Sequence, residues 1–263
     1  MKFDNVLVPI DGSMISEVAV DLAIHSAGSF ATHLTFVYVV DVTELNQFGT
    51  IDGGAMESFK MRTEGKIFLD SAGKKATAAG VPFDTKLVEG VPWQVLCELS
   101  KDQDMIIMGV VGKSGARFGK IGSTAEKVVE NAFCPILTLK SGSRQIKDIL
   151  LPVNNQNMAA IDVAIETAKR VNGHITVFSV KGKDDPQPLM EAVAAKISEA
   201  GVDVSTQMST GKPEDAIVGQ SGMYDLIIMG TEGRSGLKKI LNGSVAEKVM
   251  VNASCPVTIV RDF

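Results

Sequence analysis

The chain has 263 residues, 45% of them apolar, so it is long enough for two domains of ordinary size with buried cores. It contains no run of about 18 apolar residues, so the sequence predicts no membrane-spanning helix. The net charge of −5 argues against nucleic acid as the main partner. The three cysteines have no metal-ligand spacing and the N-terminus lacks a signal-peptide pattern, so we expect a reduced, cytoplasmic protein.

An internal repeat organises the sequence. Segments 4–11, 33–35, 105–109 and 134–136 recur in the same order as 147–154, 174–176, 226–230 and 255–257. The offset is 143 positions for the first strand, 141 for the second and 121 from Gly80 onward, so the first repeat carries about 20 extra residues within 41–66. We therefore predict two domains, residues 1–141 and 146–263, joined by a short polar linker.

Apolar runs alternate with helical patterns in each repeat. In the first repeat, strands are predicted at residues 6–10, 34–40, 83–88, 105–108 and 136–139. Helices are predicted from Ile15 to Ala23, where apolar residues recur at helical spacing, and at 94–100 and 124–131. We interpret the extra segment as a mobile surface segment that could form a lid.

Strand–helix alternation predicts the fold class α/β. We expect two repeated Rossmann-like or flavodoxin-like domains, each with a five-stranded, mainly parallel sheet and helices on both faces. Ligands of such sheets bind beyond the carboxyl ends of the strands, so the loops there are the candidate functional segments.

The loop after the fourth strand has a glycine pattern in both repeats. Gly109 and Gly112 are followed, after nine residues, by Gly122-Ser123, and the second repeat keeps the same spacing. The sequences 123–126 and 244–247 both fit a capping box, which predicts a helix N-terminus with amides available to a phosphate. The cations of the intervening loops would favour a polyphosphate further; they are Lys113, Arg117, Lys120, Arg234, Lys238 and Lys239.

A purely structural interpretation stays open for each of these patterns. Glycines at strand ends often only make turns, and a capping box needs no ligand. The turn Asp11-Gly12-Ser13 can be a simple strand-to-helix connection with Ser13 as the N-cap.

The whole chain resembles a tandem universal stress protein, in the nucleotide-binding branch of that family. The resemblance rests on Gly-x-x-Gly, nine residues and Gly-Ser, on Val8-Pro9-Ile10-Asp11, and on Gly90-Val91-Pro92. It implies that Asp11 contacts the nucleoside, that backbone at Val39 meets adenine, and that the glycine loop holds the phosphates. The implied nucleotide-binding residues are Pro9, Ile10, Asp11, Val39, Met108, Gly109, Gly112, Lys113, Gly122, Ser123 and Thr124.

The second repeat departs from this pattern at its first strand, where Asn154 replaces the aspartate and is followed by Asn155-Gln156-Asn157. Its glycine loop is intact, so its phosphate half is expected to bind and its nucleoside half is in doubt. The residues of this second, weaker site are Asn154, Val180, Gly230, Gly233, Arg234, Gly243, Ser244 and Val245.

The resemblance implies a stress-response protein that binds ATP or AMP and acts as a sensor or regulatory module, with Mg²⁺ carried by the phosphates. A slow ATP hydrolase and a ligand-free interaction module are the alternatives. No base for an attacking water is evident, so we expect binding, with weak ATPase activity at most. Expected partners are an adenine nucleotide, the second domain of the same chain through the last strand of each repeat, and a second chain in a homodimer.

Overall fold

The computed structural model describes residues 3–27, 32–45, 51–112, 120–142, 145–154, 158–182, 184–231 and 244–261, without the side chains at 44–45 and 51–53. By its internal contacts, the chain divides into a first unit, Phe3–Cys134, and a second unit formed by Pro135–Phe263 with the first two residues. The described helices include none that is both long and apolar enough to cross a membrane.

Four parallel strands form the sheet of the first unit, in the order β3-β2-β1-β4. The strands are β1 (Asn5–Pro9), β2 (His33–Asp41), β3 (Phe83–Gly90) and β4 (Met105–Gly109). The helices are α1 (Met14–Ala27), α2 (Val42–Leu45), α3 (Ile51–Ala79), α4 (Pro92–Leu99) and α5 (Ser123–Asn131). Each predicted strand and helix of this unit is present, with ends shifted by two residues or fewer for the strands that flank the cavity.

The apolar runs of β1 and β4 are buried on both faces, as the sequence predicts. Leu7, Val8 and Ile106 have no exposed surface, because helices cover both sides of a parallel sheet. Burial at this level makes the sheet a rigid platform for the loops at its carboxyl edge.

The second unit contains six strands in the order β5-β10-β9-β6-β7-β8. They are β5 (Ile136–Leu139), β6 (Asp148–Pro152), β7 (His174–Val180), β8 (Asp203–Ser209), β9 (Leu226–Thr231) and β10 (Val257–Arg261). Its helices are α6 (Met158–Val171), α7 (Gln187–Glu199), α8 (Pro213–Gln220) and α9 (Val245–Asn252).

Strand β5 packs with the second unit, although the repeat assigns it to the first. It pairs antiparallel with β10, Leu137 opposite Thr258, and Thr138 Oγ1 donates a hydrogen bond to the Val257 carbonyl at 2.9 Å. The expected meeting of the last strands of the two repeats is therefore confirmed. By internal contacts, β5 is counted with the second unit, which begins at Pro135.

The extra segment of the first repeat forms most of the N-terminal half of α3. Residues 51–66 of this segment are helical, and from 54 to 66 every residue except Gly65 is exposed or half-buried. Tyr38 of β2 stacks on Phe68 with ring centroids 6.2 Å apart, and a Cβ on Gly65 would lie 2.5 Å from the Tyr38 ring. The helix therefore lies flat on the sheet, and Gly65 permits that close approach. Gly49 lies outside the described residues.

Candidate functional site

A cavity of about 230 Å³ opens at the carboxyl ends of β1, β2 and β4 in the first unit. Its lining comes from the loops that follow these strands, from α3 and α4, and from the start of α5. The lining residues are Pro9, Ile10, Asp11, Ser13, Ser16, Val37, Tyr38, Val39, Asp41, Met61, Pro92, Leu96, Met108, Gly109, Val111, Gly112, Gly122, Ser123, Thr124 and Ala125. The position agrees with the rule that parallel sheets bind ligands at this edge.

The turn between β1 and α1 fixes the position of Asp11. The Ser13 amide donates to Asp11 Oδ1 at 2.9 Å, and the Ser16 amide donates to Ser13 Oγ at 3.2 Å. Ser13 is thus the N-cap of α1, as the sequence predicts. Gly12 between them has φ +77°, a conformation that glycine adopts without strain. The turn therefore holds the carboxylate at the cavity wall.

The glycine loop after β4 brings backbone against this carboxylate. A Cβ on Gly112 would lie 2.6 Å from Asp11 Oδ2, so only glycine allows the approach without a shift. The Gly122 amide donates to the Val110 carbonyl at 2.9 Å, which holds the residue before α5 against the residue that follows β4. These contacts place the two halves of the glycine pattern beside Asp11.

Helix α5 begins one residue earlier than the capping-box prediction requires. Gly122 is its N-cap and makes no side-chain cap hydrogen bond, so the prediction of a capping box at Ser123 is wrong. Ser123 lies inside the helix because the Glu126 amide already donates to the Gly122 carbonyl at 2.9 Å. The amides of Ser123, Thr124 and Ala125 donate to no described residue, which leaves the helix N-terminus open to an anion.

In the second unit the capping box forms as predicted. Ser244 is the N-cap of α9, and its Oγ accepts from the Glu247 amide at 3.1 Å. Asn154 is exposed, whereas Val180, Gly230 and Val245 are half-buried. Three residues of the predicted second site, Gly233, Arg234 and Gly243, lie outside the described residues, as do Asn155, Gln156 and Asn157.

Ten of the eleven residues predicted for the first site line the one cavity. They are Pro9, Ile10, Asp11, Val39, Met108, Gly109, Gly112, Gly122, Ser123 and Thr124. Lys113, the eleventh, lies outside the described residues, and so do Arg117, Lys238 and Lys239. The structure therefore brings together segments that are more than 100 positions apart in the sequence.

Asp41 is a lining residue that the sequence analysis missed. It ends β2, and its Oδ1 accepts hydrogen bonds from the Thr43 amide at 2.8 Å and from Thr43 Oγ1 at 2.7 Å. Its Oδ2 accepts from no described residue. A polar residue that ends a buried parallel strand is a signal for this edge of the sheet, and that signal could have identified Asp41.

Apolar residues form one wall of the cavity, and of these the sequence analysis predicted only Val39 as a site residue. Val37 and Val39 lie on β2, Pro92 and Leu96 on α4, and Met61 on α3. Met61 could not be predicted, because it lies in the extra segment, for which the second repeat offers no counterpart to compare. This wall is suited to a flat, largely apolar group such as a base.

The comparisons with known proteins agree with this architecture. The sequence model of the Universal stress protein family matches residues 2–140 and 181–261. The residues between the two matches contain Asn154, the changed position of the second repeat.

A universal stress protein of Methanocaldococcus jannaschii is 33% identical over 145 residues, covering 54% of this chain and 85% of that protein. A universal stress protein of Mycobacterium tuberculosis is 25% identical and covers 99% of this chain and 98% of its own length. The crystal structure of a universal stress protein from Archaeoglobus fulgidus superposes with a TM-score of 0.86 at 20% identity, over 99% of each chain. By the match over most of its length, the chain belongs to the universal stress protein family.

Proposed function

We propose that the first unit binds an adenine nucleotide, ATP or AMP, and that the protein acts as a sensor or regulatory binding module in a stress response. The observation that supports this proposal is that the two ends of the cavity differ in chemistry. Unpaired backbone amides lie at the β4–α5 end, and a fixed carboxylate and an apolar wall lie toward β2. A nucleotide has two matching ends: its phosphate suits the amides, and its base suits the apolar wall.

The phosphate end is formed by backbone rather than by described cations. The amides of Ser123, Thr124 and Ala125 point out of the helix N-terminus, where the helix dipole favours an anion. Gly112 and Gly122 lie beside these amides and keep side chains away from the ligand. Lys113 and Arg117, which the sequence places between the two halves of the glycine pattern, lie outside the described residues.

The nucleoside end has a free backbone edge on β2. The last hydrogen bond described between β1 and β2 runs from the Ile10 amide to the Val37 carbonyl at 2.8 Å. Val39 is the next residue whose amide and carbonyl face the β1 side, because these groups alternate along a strand. No described residue of β1 pairs with it. An adjacent donor and acceptor match N1 and the amino group of adenine.

The spacing of the strands suits the length of a nucleotide. Neighbouring strands are about 4.8 Å apart, so β4 and β2 lie about 10 Å apart with β1 between them. A phosphate at β4, a ribose beside Asp11 at β1 and a base at β2 follow that order. A carboxylate accepts hydrogen bonds from ribose hydroxyls, which gives Asp11 a role in this arrangement.

The cavity favours binding over catalysis. Asp11 and Asp41 are the carboxylates among its described lining residues, and each already holds a local turn through one oxygen. Hydrolysis needs a base that positions a water in line with the terminal phosphate. We therefore rank a slow ATP hydrolase second. Mg²⁺ enters the proposal through the phosphates, since no group of three His, Cys, Asp or Glu suited to a metal occurs within the described ranges.

The two units are proposed to be unequal. Asn154 replaces Asp11, so the second unit lacks the carboxylate beside the ribose position. Its helix α9 begins at a serine cap whose Oγ already accepts from the Glu247 amide. The second unit is therefore the weaker site.

Two measurements on purified protein test the proposal. Ligand released by heat is identified by mass spectrometry, and ATP, AMP and GTP are titrated calorimetrically into ligand-free protein. Adenine nucleotide that copurifies, or that binds with micromolar or better affinity while turnover stays slow, is the expected result. Absence of binding by ATP and AMP would overturn the proposal, and rapid multiple turnover would favour the hydrolase.

A further inference from the structure

We propose that Asp41 selects the base, by accepting a hydrogen bond from the 6-amino group of adenine and disfavouring purines with a 6-oxo group. This inference rests on the proposed function and deepens it. It concerns a residue outside the predicted glycine pattern and outside the backbone contact at Val39.

The alternation of side chains along β2 shows on which side of the strand Asp41 lies. Even-numbered residues of β2 face α3. Tyr38 stacks on Phe68 of α3, and Phe36 packs on Phe83 of β3 with ring centroids 5.8 Å apart, where a Cβ on Gly73 of α3 would lie 2.9 Å from the Phe83 ring. Side chains alternate along a strand, so Val37, Val39 and Asp41 face the opposite side. All three line the cavity together with Leu96 of α4, and Tyr38 of β2 and Met61 of α3 line it as well. Asp41 thus lies on the same side of β2 as Val37 and Val39, at the outer end of the apolar wall proposed to hold the base.

The hydrogen bonds of Asp41 orient its carboxylate. Its Oδ1 accepts from both the amide and the hydroxyl of Thr43, which fixes the orientation of the carboxylate. Its register partner on β3 is Gly90, which has no side chain to cover it. Asp41 is half-buried, so its other oxygen offers a preoriented acceptor beside the cavity.

The exocyclic amino group of adenine explains why a second acceptor would matter. An exocyclic amino group has two hydrogens, and the Val39 carbonyl can accept only one of them. Asp41 Oδ2 is placed to accept the other, in a charge-assisted bond. A 6-oxo purine presents an oxygen at the same position, and the carboxylate would repel it.

The second unit has no carboxylate at the position that corresponds to Asp41. Position 182, which corresponds to Asp41 by the offset of 141, is a glycine. Both carboxylates of the first cavity are therefore missing from the second repeat, at Asn154 and at Gly182. The proposed selectivity for adenine belongs to the first unit alone.

The test compares ATP with ITP, which differs from it by the 6-oxo group, in wild type and in Asp41→Asn. The asparagine keeps an acceptor for Thr43, so the turn and the fold should be preserved, while its amide adds a donor that suits a 6-oxo group. Asp84→Asn is the matched control, since Asp84 is an exposed carboxylate that pairs with His33 at 3.0 Å and does not line the cavity.

Wild type and Asp84→Asn should prefer ATP over ITP, and Asp41→Asn should reduce that preference about tenfold, by weaker ATP and stronger ITP binding. A preference that stays within about twofold of wild type in Asp41→Asn would overturn the inference and leave nucleotide binding intact. A loss of discrimination against 2′-deoxy-ATP instead would place Asp41 at the sugar and also overturn it. If wild type binds neither ATP nor ITP, the proposed function itself fails.

Discussion

Gly112 and Asp11 approach so closely that a Cβ on the glycine would lie 2.6 Å from Asp11 Oδ2. The contact links the loop after β4 to the turn after β1, two segments about 100 positions apart. The sequence analysis assigns Gly112 to the phosphate and Asp11 to the nucleoside. The contact shows that Gly112 also limits the space around the Asp11 carboxylate.

Gly112→Val should weaken ATP binding at least tenfold, because the added carbons must displace Asp11 or the loop. Gly112→Ala should also weaken ATP binding, by a smaller factor. Calorimetric titration measures both affinities, and circular dichroism checks the fold. Gly219→Ala is the control, since a Cβ there meets nothing within 4 Å and the position lies in α8. Unchanged affinity in a folded Gly112→Val variant would remove the glycine loop from the site.

Gly12→Ala should destabilise the protein by about 2 kcal/mol or more, because it combines a left-handed conformation with overpacking. Its Cβ would lie 2.3 Å from Phe68 on α3. Gly201→Ala is the matched control, since Gly201 has φ +79° and open space around it. Urea denaturation should show the larger loss for Gly12→Ala, and part of that loss should disappear when Phe68 is replaced by leucine. Equal losses at the two glycines would contradict the packing of α3 on this turn.

The two serines at the starts of α5 and α9 should behave differently. Ser244→Ala should cost about 1 kcal/mol of stability, because the Glu247 amide loses its acceptor. Ser123→Ala should change stability by less than about 0.5 kcal/mol, because Ser123 makes no cap hydrogen bond. Chemical denaturation of the two variants provides the measurement. A larger loss at Ser123 would restore the capping box that the structure excludes.

Burial raises the pKa of the Cys134 thiol to about 12 and that of Cys255 to about 11, with Asp104 adding to the shift at Cys134. Since the raised pKa favours the neutral thiol in the folded state, the free energy of unfolding should fall once the pH rises above the ordinary thiol value of 9.0. Both thiols should also resist alkylation until the protein unfolds. Denaturation between pH 8 and pH 10 tests the first point, with the double variant Cys134→Ala, Cys255→Ala as control. Equal alkaline destabilisation in that variant would assign the effect to other groups.

The sequence predicted the strands well because buried parallel strands leave continuous apolar runs, as at residues 6–10 and 105–108. Glycine spacing and strand ends predicted the edge of the sheet where the cavity lies, whereas the roles of Asp11 and Val39 were implied by the resemblance to the family. It missed α3 beyond the second strand, since the helix is held by contacts that no local pattern encodes, such as Tyr38 on Phe68. It misplaced the start of α5 by one residue, because a hydrogen bond from Gly122 to Val110 decides where that helix begins. Asp41 was missed although it is a polar residue that ends a buried parallel strand, the signal that could have identified it.

The central claim is that one adenine-nucleotide site lies in the first unit, beside Asp11. Asp11→Ala removes the carboxylate at the cavity wall, whereas Asn154→Ala makes the corresponding change in the second unit. Loss of the hydrogen-bonded acceptor should weaken binding by about one to two orders of magnitude. Because Asp11 also holds the Ser13 amide, thermal denaturation must show that the Asp11→Ala variant stays folded.

Calorimetric titration of ATP into wild type, Asp11→Ala and Asn154→Ala is the most direct measurement. The account predicts one tight site in wild type, its loss in Asp11→Ala, and an affinity in Asn154→Ala within about twofold of wild type. Two equal sites in wild type, or a tight site lost only in Asn154→Ala, would contradict it.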